Sequence, residues 1–240
     1  MPEGLSQKTC VFQDLGILEY RKTLELQEST RSAKVEDPLV ADRVFFVQHP
    51  AVFTLGKRGG LENLMVTKDF LDEKGIQTVQ TDRGGNITYH GPGQAVLYPI
   101  VDLERNRIGV ADFVNGLEEL MLRTVADYGI HAKRDAKNHG LWVGNKKIGS
   151  VGLSIKHGIS IHGLALNFTL DLTPFTWANP CGLSNVSMTS LEKEIPSKGE
   201  IPSMETIKDR FKEYFCTIFK YKEKFECPPK NSIQGVSLHG

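Results

Sequence analysis

Cys181, in the stretch NPCGL, is the residue whose neighbours best suit a nucleophile. Pro180 stiffens the approach to it, and Gly182 lets another backbone or a ligand come close. A cysteine in such a turn presents its sulfur and the adjacent N–H groups to one point. The plain alternative is a small hydrophobe in a tight turn, and the local sequence leaves both open. Cys216 falls on the apolar face of a helical pattern, where packing is expected. Cys10 in a strand pattern and Cys227 in the polar tail carry no motif. A thiol with a pKa near about 8.5 is only about 3% thiolate at pH 7. Lowering that pKa by about two units raises the reactive fraction roughly twentyfold, so a nucleophilic cysteine needs a cation or base beside it. His90, His162, Lys146 and Lys147 are the candidates.

In KKIGSVGLSI, strand alternation puts Lys147 on one face with Gly149, Val151, Leu153 and Ile155. Lys146 shares the other face with Ile148, Ser150, Gly152 and Ser154. Lys147 thus takes the more apolar face, where desolvation favours a lowered pKa and a general-base role. Lys146 reads as a solvated hairpin lysine. A bulge at the glycines inverts this register, and two surface turn lysines are the alternative. His90 gains weight from its company in TYHGPG; His162, in IHGLALN, gains less. For each, the alternative is a hydrogen-bonded structural group. Neither has a second histidine or carboxylate at metal-ligand spacing, so no metal is expected. Arg83–Asn86 (RGGN) offers two glycines to a phosphate but lacks both GxxxxGK[ST] and GxGxxG, and a plain turn explains it equally well.

These residues need elements to hold them. TCVFQDLG, DRVFFVQHP, the tip of AVFTLGKRGGLENL, IQTVQTD and QAVLYPIVDL read as strands, with Pro99 hinting at an edge or a bulge in the last. Leu18 to Lys34 shows apolar residues at helical spacing, KDFLDEKG is a short helix closed by Gly75, and Val110 to Gly129 is the clearest helix. LWVGNKKIGSVGLSIKHGISIHGLALNFTLDL is a meander with turns at Asn145 and at His157-Gly158. EKEIPSKGEIPS is a surface loop or linker, and Ser203 caps a helix over about 203–219. The tail from Lys222 onward is polar and expected to be loosely held. Strands and helices mix without regular alternation, so the expected class is α+β rather than doubly wound.

The 240 residues fit one large domain or one domain with a small appendage, and 40% hydrophobic content is ordinary for a globular protein with a real core. Lys and Arg total 29, as do Asp and Glu, which weighs against a nucleic-acid binder. No apolar run approaches the ~18 residues that span a bilayer, and the N-terminus lacks a secretory pattern. The four scattered cysteines form neither a zinc pair nor a disulfide framework, so a cytoplasmic location is expected.

Arg83–Leu103 (RGGNITYHGPGQAVLYPIVDL), Lys146–Gly158 (KKIGSVGLSIKHG), Ile161–Phe175 (IHGLALNFTLDLTPF) and Asn179–Gly182 (NPCG) occur in this order. Together they closely resemble the octanoyltransferases of lipoate biosynthesis, the lipoyl(octanoyl) transferase or lipoate-protein ligase B family. QHPAVFTLGKRGGLENL, from Gln48 to Leu64, resembles that family's upstream block, and the match runs from about Gln13 to Leu191.

The resemblance implies a single catalytic domain over residues 1–240, with a core of about 10–191, built as a mixed β-sheet flanked by helices like the biotin and lipoate protein ligases. It implies transfer of an octanoyl group from octanoyl-acyl carrier protein to a lysine of lipoyl domains or of the glycine-cleavage H protein, with no cofactor, nucleic acid or membrane. The acyl-accepting cysteine falls on Cys181 and the lysine that lowers its pKa on Lys147. The acyl-binding segments fall on Arg83, Gly84, Gly85, Asn86, Ile87, Thr88, Tyr89 and His90. They continue on Ser150, Val151 and Gly152, and on Gly163, Leu164 and Ala165. Where the resemblance leads one to expect more arginine after Gly152, Lys156 stands in. Three rivals remain: an ATP-dependent lipoate or biotin ligase of the same fold, a non-catalytic lipoyl-domain binder, and a cysteine hydrolase using Cys181 and His90.

Overall fold

The computed structural model describes residues 8–135, 138–179, 186–196 and 199–223. Pro180, Cys181, Gly182 and Cys227 lie outside the described residues, as does part of the EKEIPSKGEIPS loop. In chain order the elements are β1 (Thr9–Ile17), α1 (Tyr20–Glu36), β2 (Asp42–Gln48), β3 (Val52–Leu55), α2 (Lys68–Glu73), β4 (Gln77–Gln80), β5 (Ile87–His90), β6 (Gln94–Ile100), α3 (Val110–Ala126), β7 (Lys133–Arg134), β8 (Gly140–Val143), β9 (Lys146–Lys156), β10 (Ile159–Asn167), β11 (Ser187–Met188), α4 (Leu191–Glu194), α5 (Met204–Phe219) and β12 (Lys222–Glu223).

The large sheet runs β12-β1-β2-β6-β10-β9-β8-β7, with β11 added to β9. The β12–β1, β1–β2 and β11–β9 pairs are parallel and the rest antiparallel, so the sheet is mixed. A small sheet, β4-β3-β5, stands apart and carries the TYHG motif on its β5 strand. Alternation along β2, β6 and β10 divides the side chains between two faces. Phe46, Leu97, Leu164 and Leu166 meet α3 and α5, whose own stripes of Phe113, Leu117, Met121, Phe211 and Phe215 are fully buried. Phe45, Val47, Val96, Tyr98, Ile161 and Ala165 form the core of the opposite face with Tyr20 of α1.

Several expectations change. β6 is a central strand, buried along its whole length, so Pro99 is not at an edge. It pairs with Val44 of β2, but the β6–β10 ladder covers only Gln94–Leu97 against Leu164–Asn167. A proline has no N–H to offer, and it stands where that ladder breaks. Ser160 Oγ fills in by donating to Pro99 O at 2.7 Å and accepting the Val101 N–H at 3.1 Å. α1 is a helix, but its buried residues are Tyr20, Thr23, Gln27 and Lys34, while Leu26 and Val35 are exposed. The tail begins as structure: Lys222 and Glu223 pair with Thr9 and Cys10.

The most deeply buried ion pair locks this end of the fold. Lys34 Nζ lies 2.8 Å from Asp42 Oδ1, with both side chains 1% exposed. Asp42 also accepts from Asp102 N, Asn106 Nδ2 and the Tyr221 hydroxyl. One carboxylate therefore ties α1, β2, the loop after β6 and the chain leaving α5. Breaking a buried pair by removing one partner costs roughly 3–5 kcal/mol. Lys34→Ala is expected to lower stability by about that amount in urea unfolding, and a change under about 1 kcal/mol contradicts this reading.

Candidate active site

A cavity of about 350 Å³ lies between the small sheet and the large one. Arg83, Gly84, Gly85, Asn86, Ile87, Thr88, Tyr89 and His90 form one wall. Ser150, Val151 and Gly152 of β9, with Gly163, Leu164 and Ala165 of β10, form another. Lys147 opens into the same space, as do Ala178 and Val186. The three segments singled out in the sequence and the lysine are therefore brought together. Cys181 lies outside the described residues.

The first wall is held close to its neighbours. Gly56, Lys57 and Arg58 donate their N–H groups to Asn86 O, Arg83 O and Gly85 O. A Cβ on Gly56 would stand 2.5 Å from Gly85 O, so a side chain there would push the strands apart. Gly85 adopts φ +86°, which glycine alone accommodates readily. β8 pairs with β9 only as far as Ser150, and beyond it Gly84 N donates to Leu153 O at 2.8 Å. Arg83 is 7% exposed, and its guanidinium donates to Thr54 O at 2.6 Å, to Thr54 Oγ1 and to Gly84 O. It is a pin for the loop before it is anything else.

Lys147 is on the other face from the one its alternation implied. Leu141 pairs with Gly149 but Trp142 with Lys147, so β9 carries one extra residue, Ile148. Ile148 is buried in the α3 core, and a Cβ on Gly149 would meet Met121 Sδ at 2.6 Å, so both face α3. Beyond the bulge, Val151, Leu153 and Ile155 pack against that core. Lys147 instead shares the side of Ser150, Gly152 and Ser154. Its ammonium donates to His139 O at 2.9 Å and stands 5.4 Å from the centre of the Trp142 ring. Lys146 pairs with Glu194. Thr189 N donates to Lys147 O at 2.9 Å, which ties β11 to the lysine's own backbone.

Beneath the cavity lies a buried cluster of histidines and tyrosines. His162 has φ +59°, an uncommon conformation outside glycine, and is bonded on three sides. Its N–H donates to Gln27 Oε1 at 2.7 Å, Nδ1 accepts from the Tyr20 hydroxyl at 3.2 Å, and Nε2 donates to Asp82 Oδ1 at 3.0 Å. The His162 hydrogen bond, together with Ser154 and Lys156, holds the Asp82 carboxyl far below the usual carboxylate range. Lys156 is thus committed to Asp82 at 2.8 Å. His90 stacks on Tyr20 with ring centres 5.7 Å apart. Its Nδ1 donates to Gln94 Oε1 at 2.7 Å, and Thr54 Oγ1 lies 3.4 Å from Nε2. His49 donates to Leu18 O at 2.7 Å and accepts from the Tyr98 hydroxyl at 2.9 Å. Burial holds His90 well below its ordinary pKa, lowers His162, and brings His49 down to about 4. All three rings are neutral at pH 7. His90 is buried, with its Nδ1 held by Gln94.

Sequence reasoning missed Tyr20, Tyr98, His49 and Asp82, which carry no motif and meet only in three dimensions. It also missed Trp142 and His139, whose roles depend on the bulge. Among the described residues, no group of three or more His, Cys, Asp or Glu is arranged to hold a metal, and no helix is long and apolar enough to cross a membrane.

Residues 19–216 match the family model of the lipoyl protein ligase A/B catalytic domain. An octanoyltransferase of Desulfotalea psychrophila is 46% identical over 183 residues, covering 75% of this chain and 82% of that protein. One from Solibacter usitatus is 38% identical over 217 residues, covering 90% and 95%. In fold, the chain is similar to a putative lipoate protein ligase from Thermoplasma acidophilum solved with lipoic acid, with a TM-score of 0.66, 12% identity and coverage of 92% and 89%. It is also similar to a biotin protein ligase from Leishmania major, with a TM-score of 0.51, 11% identity and coverage of 88% and 73%.

The neutral histidines set a pH dependence. His49 titrates at about 4 in the folded protein against an ordinary value of 6.5, so between those values the unfolded chain binds more protons. The stabilisation is complete above pH 6.5 and is lost as the pH falls toward 4. His90 and His162 act in the same direction. Moving from about pH 7 to pH 5 is expected to cost about 2 kcal/mol from His49 alone. Urea midpoints at the two pH values measure it, and an unchanged or higher midpoint at the lower pH contradicts it.

Proposed function

Since the chain belongs to the lipoyl protein ligase A/B catalytic family and is a transferase of the octanoyltransferase kind, we propose that it moves an octanoyl group between two proteins through a thioester on Cys181. The donor is octanoyl-acyl carrier protein. The acceptors are lysines of lipoyl domains and of the glycine-cleavage H protein, and the reaction takes place in the cytoplasm as the first step of lipoate formation.

The observation that carries this reading is the convergence of Lys147 and the three glycine-rich segments on one cavity. Its volume lies at the lower end of small-ligand sites, which run from roughly 300 to 1,000 Å³. An extended eight-carbon chain buried there gains roughly 0.8 kcal/mol per CH₂, several kcal/mol in all. Glycine walls let such a chain lie against backbone. Ala178 and Val186, which bracket the segment holding Cys181, both line the cavity.

The chemistry runs in two displacements. The Lys147 ammonium favours the Cys181 thiolate, which attacks the carbonyl carbon of the incoming thioester. Backbone N–H groups of the glycine segments stabilise the oxyanion. The bond to the carrier's thiol breaks, and that thiol leaves with the proton from Lys147. The acceptor lysine's amine then attacks the Cys181 thioester, the amide forms as the cysteine sulfur leaves, and neutral Lys147 takes up the amine proton. The incoming thioester supplies the free energy, so ATP is not required. A solved lipoate-protein ligase A with bound ATP shares the fold at a TM-score of 0.65, which makes ATP with free octanoate the necessary control.

Cys181→Ala and Lys147→Ala are each expected to lose at least about 10³-fold in transfer from octanoyl carrier protein while folding normally. Full activity in the cysteine variant, or turnover only with ATP and free octanoate, contradicts the proposal.

A further inference from the structure

We propose that Glu118, in the middle of α3, is a positioning residue for Lys147. This rests on the role given to Lys147 above and extends it to an element outside the cavity wall. The Glu118 side chain is 3% exposed. A carboxylate buried to that degree is costly unless its oxygens are bonded. Its Oε1 accepts the Gly140 N–H at 2.7 Å and lies 3.2 Å from His139 Nδ1. The Lys147 ammonium, in turn, donates to His139 O at 2.9 Å.

The Gly140 N–H and the His139 C=O belong to one peptide unit. In a trans peptide these two groups point in opposite directions, and the chain contains no cis peptide bond among the described residues. Glu118 therefore grips this unit from the α3 side while Lys147 holds it from the cavity side. A hydrogen bond to the N–H polarises the attached carbonyl and makes it a better acceptor for a cation. The contact is also tight. Gly140 has φ +132°, and a Cβ there would stand 2.3 Å from Gly149 O and 2.8 Å from Lys147 Cε. If the peptide shifts, the lysine shifts with it.

Glutamine at 118 keeps an oxygen where Oε1 stands, and that single oxygen serves both His139 and Gly140. Alanine removes it, and aspartate draws it back by one methylene. Glu118→Ala is expected to lower kcat on the order of 10²-fold, the cost of about 1 Å of misplacement, with KM for octanoyl carrier protein within about threefold of the parent. The alkaline limb of its rate–pH profile moves to lower pH, because the His139 carbonyl that accepts from the ammonium is no longer held in place. Glu118→Gln retains a rate within about threefold of the parent and its pH profile. If the alanine protein does not fold, Glu118→Asp takes its place and is expected to fall below Glu118→Gln. A folded alanine variant with the parent's kcat and pH profile overturns the inference, and so does an aspartate variant more active than the glutamine one. Lys147→Ala, measured alongside, separates the two claims. If it stays active, the role of Lys147 itself fails; if it is inactive while Glu118→Ala is unimpaired, only the positioning role fails.

Discussion

The extra residue that β9 carries at Ile148 decides which side of the sheet Lys147 occupies, and the site is arranged around that choice. Ile148 and Gly149 both turn toward α3, one filling the core and the other leaving room for Met121. The bulge delivers the lysine to the cavity, against the Trp142 ring and the His139 carbonyl. A regular strand would have put the amine on the side of Val151, Leu153 and Ile155, which pack against the α3 core. Bulges of this kind re-aim side chains beside functional sites, and here the hydrogen bonds that hold the result reach from α3 to β11.

The opposite wall solves a different problem. Its glycines bring backbone within contact of backbone, which leaves many polar groups needing partners away from water. The backbone of Gly56–Arg58 and of Leu153 supplies them, and a buried cluster lies beneath. Pro99 and the left-handed His162 break the β6–β10 ladder; Ser160 and Gln27 take up the backbone groups left over, and Tyr20 and Asp82 hold the His162 ring. This explains why α1 buries Tyr20 and Gln27. The histidines stay neutral near the buried Arg83 guanidinium, which avoids unpaired like charge inside the fold.

Much of this architecture was legible in the sequence, since most strands and the helices follow from periodicity and from glycine, serine and proline punctuation. Ser203 caps α5 as its type and position suggested, accepting from Thr206 N at 3.1 Å. The turns at Gly144-Asn145 and His157-Gly158 follow from glycine and its positive φ. What could not be read locally depends on long-range partners. Alternation gave Lys147 the wrong face because nothing in KKIGSVG distinguishes a bulge from a regular strand. Pro99 read as an edge because the polar groups that accommodate it come from Ser160, far along the chain. Asp82 and Tyr20 lie 62 positions apart in the numbering and gain meaning only through His162.

Family membership and the shared cavity leave one chemical claim at the centre: the acyl group is carried covalently on the sulfur at position 181. Intact-protein mass spectrometry, after brief mixing with octanoyl carrier protein and without an acceptor, addresses it directly. The account predicts a mass increase of one octanoyl group, located at Cys181 by peptide mapping and discharged by an acceptor lipoyl domain. Transfer to the acceptor with no acyl-enzyme at any time, or an adduct on another residue that turns over equally well, would contradict it.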